Sequence, residues 1–313
     1  MDNIWDCVIA GGGAAGLSAA LVLGRARRRT LVVDAGAPSN AVSHGIGGLL
    51  GHDGRPPAEL YAMGRRELER YPDVEVRTGD VVDADRGEMF AVRLADGSVE
   101  TSRRLLLATG MDYRLPDVPG VAELWGDAVF HCPFCHGWEM RDAPLAVMAA
   151  GAKAVHSALM LRGWSEDIVL LADSLSEDES ALVGAAGIVV DARTVVEVRG
   201  GPGGIEIVFA DGGVLARRGL MAAPVMRQRS SLAGRLGVRF NPANPMSEDG
   251  VWVDEFGRTS VPGIFAAGDV TVQMPQVAAV IAAGAKAAAA TVQSLLADEH
   301  GLPVPAWKED ANV

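Results

Sequence analysis

The chain has 313 residues, 49% of them hydrophobic, and a formal net charge of −12. That length supports one large or two moderate domains with a sizeable core, and the acidic balance argues against nucleic acid or an anionic membrane as a main partner. Three cysteines are too few for a disulfide scaffold. No stretch approaches ~18 apolar residues without a charge or a glycine break, and the N-terminus lacks the basic region and apolar run of a signal peptide, so the expectation is a soluble cytoplasmic protein with no membrane partner.

An apolar strand runs through Val8-Ile9-Ala10, with Cys7 inside it as a core thiol. A glycine turn spans 11–16, a helix 17–23, and a second strand Thr30–Asp34, together a βαβ unit. The basic run Arg25, Arg27, Arg28 and Arg29 reads as a solvated helix end. A loop rich in glycine and histidine covers 39–54 and carries His44, His52 and Asp53. Residues 57–71 read as a helix with one buried face. The run 74–77 and the alternating segments up to Leu94 read as a small antiparallel sheet, and 105–110 as a buried strand ending in a glycine turn. Pro116, Pro119 and Gly120 mark a domain crossing. Beyond the Cys132–Gly137 segment a second βαβ pattern appears, with strands at Leu145–Met148 and Ile168–Leu171, a turn at 149–154 and a helix at 155–162. Residues 195–220 alternate like another small sheet. The Pro/Asn-rich patch 241–245 reads as the return crossing, followed by a strand at 264–267 and a long alanine-rich helix from about Gln276 to Asp298. The prediction is an α/β chain of two tandem Rossmann-like units, the second inserted into the first and each with a small antiparallel sheet. Residues 1–115 and 244–313 would form the first unit and 116–243 the second.

Gly11, Gly13 and Gly16 fit GxGxxG between a strand and a helix. The first glycine permits the tight turn, the second lets backbone approach a pyrophosphate, and the third allows close helix–strand packing. Helix N-terminal amides then face the phosphates, and Asp34, ending the second strand, is placed for ribose hydroxyls. Cys132-Pro133-Phe134-Cys135-His136-Gly137 puts two thiols one helical turn apart, the spacing of a pair that exchanges two electrons. His136 can accept or donate a proton near neutrality, and His131 is a second candidate base. There is no second CxxC, and both histidines lie too near the pair to complete a zinc site, so no metal is expected.

Ile264-Phe265-Ala266-Ala267-Gly268-Asp269 resembles the second FAD motif of the two-dinucleotide-domain flavoprotein disulfide reductases, and Ala108-Thr109-Gly110 resembles their ATG turn. The order of motifs over nearly the whole chain is similar to that of low-molecular-weight thioredoxin reductases. The resemblance implies FAD, bound by Gly11, Gly13, Ala14, Ala15, Gly16, Asp34, Ala35, Asn40, His52, Thr109, Gly110, Gly268, Asp269, Gln276 and Val277. It also implies that Cys135 faces the flavin while Cys132 exchanges with substrate, and that the protein is a homodimer.

Two departures bear on the direction of electron flow. His136 stands where the reductases carry aspartate. In the second glycine turn, Ala149 replaces the first glycine while Gly151 and Ala154 remain. After the following strand, where an arginine cluster would clamp the NADPH 2′-phosphate, the segment 172–179 holds Asp173, Glu177, Asp178 and Glu179 and no arginine, which would repel a phosphate. Asp173 offers the alternative of NADH through ribose hydroxyls. A CPxCHG segment with no good pyridine-nucleotide site resembles the dithiol oxidases of gliotoxin, holomycin and romidepsin type. That resemblance implies a small-molecule dithiol substrate, electron transfer through Cys132 and Cys135 to FAD and on to O2, and hydrogen peroxide as product. The alternatives are a disulfide reductase using NAD(P)H or another donor, and a flavin-binding redox sensor.

Overall fold

A computed structural model describes residues 4–149 and 151–307. The chain divides into two compact units. One comprises the chain up to Ala41, Pro57–Asp112 and everything from Met226 on; the other comprises Val42–Pro56 and Tyr113–Val225.

In the first unit the sheet order is Val74–Thr78, Thr30–Asp34, Ile4–Ala10, Val99–Leu107, Phe90–Leu94, Val81–Arg86. Ile4–Ala10 is parallel to both neighbours, with Val8 opposite Leu31 and Leu105. Alternation along the strands divides the core in two. Val8, Ala10, Leu31, Val33, Leu105 and Leu107 enter one cluster; Cys7, Ile9, Val32 and Leu106 enter the other, with the helices Ala14–Arg25 and Val277–His300. Val99–Leu107 serves two partners along one edge. Its first half pairs antiparallel with Phe90–Leu94, and its second half pairs parallel with Ile264–Ala266. The short motif strand is thereby brought alongside the glycine turn.

Val277–His300 is long and apolar enough, by length and composition, to cross a membrane, which the glycine and lysine breaks argued against. Its packing is that of a core helix: Ala287, Ala288, Thr291 and Leu295 are buried. A Cβ on Gly284 would lie 2.1 Å from the Ala15 carbonyl oxygen, and Ser18 Oγ donates to the Ile281 carbonyl at 2.8 Å.

The second unit has an all-parallel sheet, ordered Val189–Asp191, Ile168–Leu171, Leu145–Met148, Gly219–Ala222, Val129–Phe130. A separate antiparallel sheet joins Val195–Gly201, Gly204–Phe209 and Val214–Arg217.

Three placements differ from the sequence reading. Val74–Thr78 joins the parallel sheet beside Thr30–Asp34 instead of an antiparallel one; it follows the helix Pro57–Leu68, and a strand after such a crossover returns parallel. Its alternating pattern reflects an exposed edge. Gly219–Ala222, read as part of the small sheet, is buried throughout and sits inside the parallel one, where apolar runs belong. The return to the first unit falls at Met226, well before residues 241–245, because Leu232, Ala233, Leu236 and Val238 are buried in the core with Val8 and Leu31.

Candidate functional site

In the first unit, the chain leaves Ile4–Ala10 through Gly11 at φ +108°, where a Cβ would stand 2.2 Å from the Ala108 carbonyl oxygen. A Cβ on Gly16 would meet the Gly11 carbonyl oxygen at 1.9 Å, so the turn closes against the helix only with glycine at both positions. Gly13 is the N-cap of Ala14–Arg25 without a side-chain cap, and a Cβ built there meets nothing within 4 Å. The helix thus opens on uncapped amides facing open space, which fits a pyrophosphate. Ala15 is buried, and a Cβ on Gly268 would press on its methyl at 2.8 Å, so the two motifs pack directly.

Asp34 accepts from the amides of Gly12 at 3.3 Å and Gly36 at 3.0 Å, and its other oxygen pairs with Arg65. Ala35 is exposed beside it. Asn40 accepts from the Tyr61 hydroxyl at 2.7 Å, and Ser39 Oγ donates to Asp269 Oδ2 at 3.4 Å, which links Asn40 and Asp269 to one cluster. Thr109 and Gly110 (φ +72°) follow the end of Val99–Leu107. Gln276 is the N-cap of the long helix and Val277 its first residue. His52 falls in Val42–Pro56, grouped with the second unit, and its Nδ1 accepts from Arg55 Nε at 3.0 Å. Ser39, Tyr61 and Arg65 were missed by the sequence reading. Tyr61 and Arg65 sit on an amphipathic helix whose pattern only says that one face is buried.

In the second unit, Cys132 is the N-cap of the short helix Pro133–His136, with Pro133 in its first turn. The amides of Cys135 and His136 both donate to the Cys132 carbonyl at 3.1 Å, and the two Sγ atoms stand 3.0 Å apart, so forming a disulfide of ~2.05 Å needs only a small movement. Gly137 must be glycine, since a Cβ would lie 2.4 Å from the Pro133 carbonyl oxygen. The loop from Val42 passes against the pair: a Cβ on Gly47 would be 2.8 Å from the Cys135 carbonyl oxygen.

Ser43 Oγ donates to the Gly45 carbonyl at 3.0 Å and lies 3.4 Å from His136 Nε2. Whether Ser43 donates to or accepts from His136 follows the tautomer of the ring. His136 Nδ1 is buried with no partner among the described residues. Burial holds the His136 pKa below the ordinary imidazole range, opposed by the Gly126 carbonyl and by Glu139 and Asp127. The lowered pKa favours the neutral ring. His131 stacks between Tyr113 and Trp125, at 5.0 and 5.5 Å, and burial, then His136 and Lys153, bring its pKa down to about 4. Phe134 and Trp138, on either side of the Cys135–Gly137 segment, are 60% and 67% exposed.

The second glycine turn is altered in structure as well. Gly151 (φ +58°) caps the helix Ala152–Leu161; Ala150 of the expected turn lies outside the described residues. Lys153 Nζ donates to the Pro224 carbonyl at 3.2 Å. After Ile168–Leu171, the helix Glu177–Ala185 is closed by a capping box. Glu179 N donates to Ser176 Oγ at 3.2 Å and Ser176 N to Glu179 Oε2 at 2.9 Å. Three carboxylates crowd its first turn.

Two dinucleotide-binding folds in tandem, one with an open glycine cradle and one carrying a CxxC pair beside a buried imidazole, define a two-domain disulfide oxidoreductase. The chain belongs to the pyridine nucleotide-disulphide oxidoreductase family, which matches residues 5–287, in its FAD-binding, thioredoxin reductase-like branch. It is 33% identical over 314 residues to thioredoxin reductase tcpT of Claviceps purpurea (strain 20.1), across 96% of this chain and 97% of that one. Among solved structures it is similar to an oxidoreductase from Agrobacterium tumefaciens, with TM-score 0.89 and 39% identity over 93% of this chain and 98% of that one. It is also similar to HlmI, with TM-score 0.89 and 37% identity over 95% of this chain and 94% of that one.

Proposed function

We propose that the protein is an FAD-dependent dithiol oxidase that forms a disulfide in a small-molecule dithiol, with O2 as the final acceptor. The observation that carries this reading is the state of the second nucleotide site. The helix end where a 2′-phosphate clamp would lie is closed by Ser176 and Glu179 and lined by carboxylates, while the Cys132–Cys135–His136 cluster is intact. A 2′-phosphate lacks its cations there, which supports entry of electrons from the thiol side.

In the proposed cycle a substrate thiolate attacks Cys132 Sγ of the enzyme disulfide. A mixed disulfide forms and Cys135 leaves as thiolate. The second substrate thiolate attacks the substrate sulfur of that mixed disulfide, closing the product disulfide and releasing the Cys132 thiolate. Two electrons have then moved from substrate to the cysteine pair, and two thiol protons have been released. His136, whose neutral ring is favoured by burial, is the acceptor for one of them. FAD, when bound, supplies the two-electron acceptor between the reduced cysteine pair and oxygen, which ends as hydrogen peroxide. The exposed Phe134 and Trp138 support an apolar or aromatic substrate body. A homodimer in the cytoplasm is part of the same proposal, on the family resemblance.

A second reading, a disulfide reductase driven by NAD(P)H, is favoured by the name of the Claviceps relative and by the retained Gly151. Anaerobic titration of the FAD-loaded protein with NADPH, NADH and dithiothreitol separates the two. The expected result is bleaching by the dithiol alone, peroxide on admitting air, and no bleaching in Cys135→Ser. Rapid bleaching by either nucleotide would overturn the oxidase reading.

A further inference from the structure

We propose that Arg65 is a further FAD-binding residue, which together with Asp34 clamps the two hydroxyls of the adenosine ribose. This rests on the family's FAD and on the ribose role that the position of Asp34 implies; it is independent of the direction of electron flow.

Asp34 lies against the glycine turn of the first unit: a Cβ on Gly12 would stand 2.5 Å from its Cγ. Its Oδ1 accepts from the amides of Gly12 at 3.3 Å and Gly36 at 3.0 Å, and its Oδ2 accepts from Arg65 Nη2. A carboxylate has about four acceptor sites, divided between its oxygens. Oδ1 is therefore filled, and Oδ2 has a single site left among the described residues. The Asp34 side chain is only 12% exposed, so that site opens in few directions.

A ribose edge presents two vicinal hydroxyls, and Asp34 can receive a proton from only one of them. The other needs a different partner, and the group that shares Oδ2 is the Arg65 guanidinium. Its remaining N–H groups make no hydrogen bond among the described residues, and its side chain is 39% exposed, so they are open to a ligand. A planar fork can give one N–H to a carboxylate and another to an oxygen beside it. Carboxylate and guanidinium together thus match a diol: one hydroxyl donates to Asp34 Oδ2, and the other accepts from Arg65.

The helix Pro57–Leu68 explains why Arg65 is available there. Tyr61 and Arg65 are four residues apart and share one face. Tyr61 is buried and donates to Asn40 Oδ1 at 2.7 Å, so the same face is held against the segment 34–40 at two points. An exposed ion pair would contribute little by itself; this one is anchored on a mostly buried carboxylate and a fixed helix face.

The test compares FAD with its 2′-deoxyadenosine and 3′-deoxyadenosine forms, by equilibrium dissociation from the loaded protein followed by flavin fluorescence. In the wild type each missing hydroxyl should weaken binding about tenfold, because a hydrogen bond to a charged group is lost. Arg65→Met should weaken FAD itself about tenfold. For one of the two deoxy forms the penalty should then shrink below about twofold, since that hydroxyl has already lost its partner. The penalty is a ratio within one variant, so a general loosening of the loop would leave it unchanged. If Arg65→Met retains too little flavin to titrate, Arg65→Lys gives the same comparison: it keeps the charge but loses the fork, and the penalty should shrink there too. Unchanged FAD affinity in Arg65→Met, or an equal loss for FAD and both deoxy forms, would overturn the proposal. Tight FAD binding by a wild type that does not distinguish the deoxy forms would also overturn it, while leaving the FAD site itself standing.

Discussion

The two glycine turns share a strand–turn–helix plan and differ at their first and third positions. At Gly11–Gly16 the glycines are sterically compulsory, with added Cβ atoms 2.2 and 1.9 Å from carbonyl oxygens, and the helix opens on bare amides. Gly151 matches Gly13 rather than Gly11 or Gly16: both are N-caps without a side-chain cap, and an added Cβ meets nothing within 4 Å at either, while Ala149 and Ala154 stand at the two tight positions. The only demand at Gly151 is the positive φ, and the neighbouring helix Glu177–Ala185 satisfies its own first amides with Ser176 and Glu179. A turn shaped by close approach is one that still cradles something. The alanines at the first and third positions and the self-capped acidic helix nearby are what the proposed loss of pyridine-nucleotide binding rests on. In the second unit the chemistry has moved to Cys132, Cys135 and the histidines around them.

The sharpest way to break this comparison is to put alanine into both turns. Gly16→Ala is expected to destabilise by about 3–5 kcal/mol and to lose FAD, read from the flavin absorbance of the purified protein. Gly151→Ala carries only the cost of a glycine-only backbone conformation, φ 58° and ψ −151°, of about 1–3 kcal/mol, and should keep full flavin content. If the two variants fell together, the turns would not differ in kind.

A smaller effect concerns the imidazoles of the second unit. His131 titrates at 6.5 in the unfolded chain and at about 4 in the folded one, so folding favours its neutral form. The stability this confers is complete above pH 6.5 and is lost as pH falls toward 4, up to about 3 kcal/mol. His131→Phe, which keeps the ring between Tyr113 and Trp125, should flatten the fall in melting temperature between pH 7 and pH 4.5. An unchanged slope would assign the acid sensitivity elsewhere.

The smallest effect tests the acidic helix. Ser176→Ala removes the cap and should cost about 1 kcal/mol with no change in dithiol-driven flavin reduction. A change in that rate would give this helix end a role in turnover and sink the view of it as a closed, structural terminus.

Much of this was legible in order along the chain. Thr30–Asp34, Leu145–Met148 and Ile168–Leu171 occupy the residues their apolar runs mark, because a strand buried on both faces announces itself locally. The glycine turn, Asp34 and the CxxC helix were legible for the same reason. What was not legible depends on residues far apart in sequence. Val74–Thr78 looks like half of a hairpin until the preceding helix returns it beside Thr30–Asp34. Tyr61 looks like one more apolar residue of a helix until its hydroxyl meets Asn40. Most of the glycine- and histidine-rich loop, from Val42 on, groups with the CxxC unit, where Gly47 and Ser43 meet Cys135 and His136.

From the sequence alone came the chemical inventory: two thiols one turn apart, an imidazole after them, glycines where a pyrophosphate would sit, and carboxylates where a phosphate clamp would be. These follow from residue identity and short spacing. The tertiary structure alone decided the state of those groups. It closed Ser176 and Glu179 on each other, laid Gly47 against Cys135, and set Ser43 within reach of His136 Nε2. It also buried both histidines deeply enough to keep them neutral. Spacing can bring groups into line, but desolvation and hydrogen-bond partners, which set proton affinity and access, are properties of the packed chain.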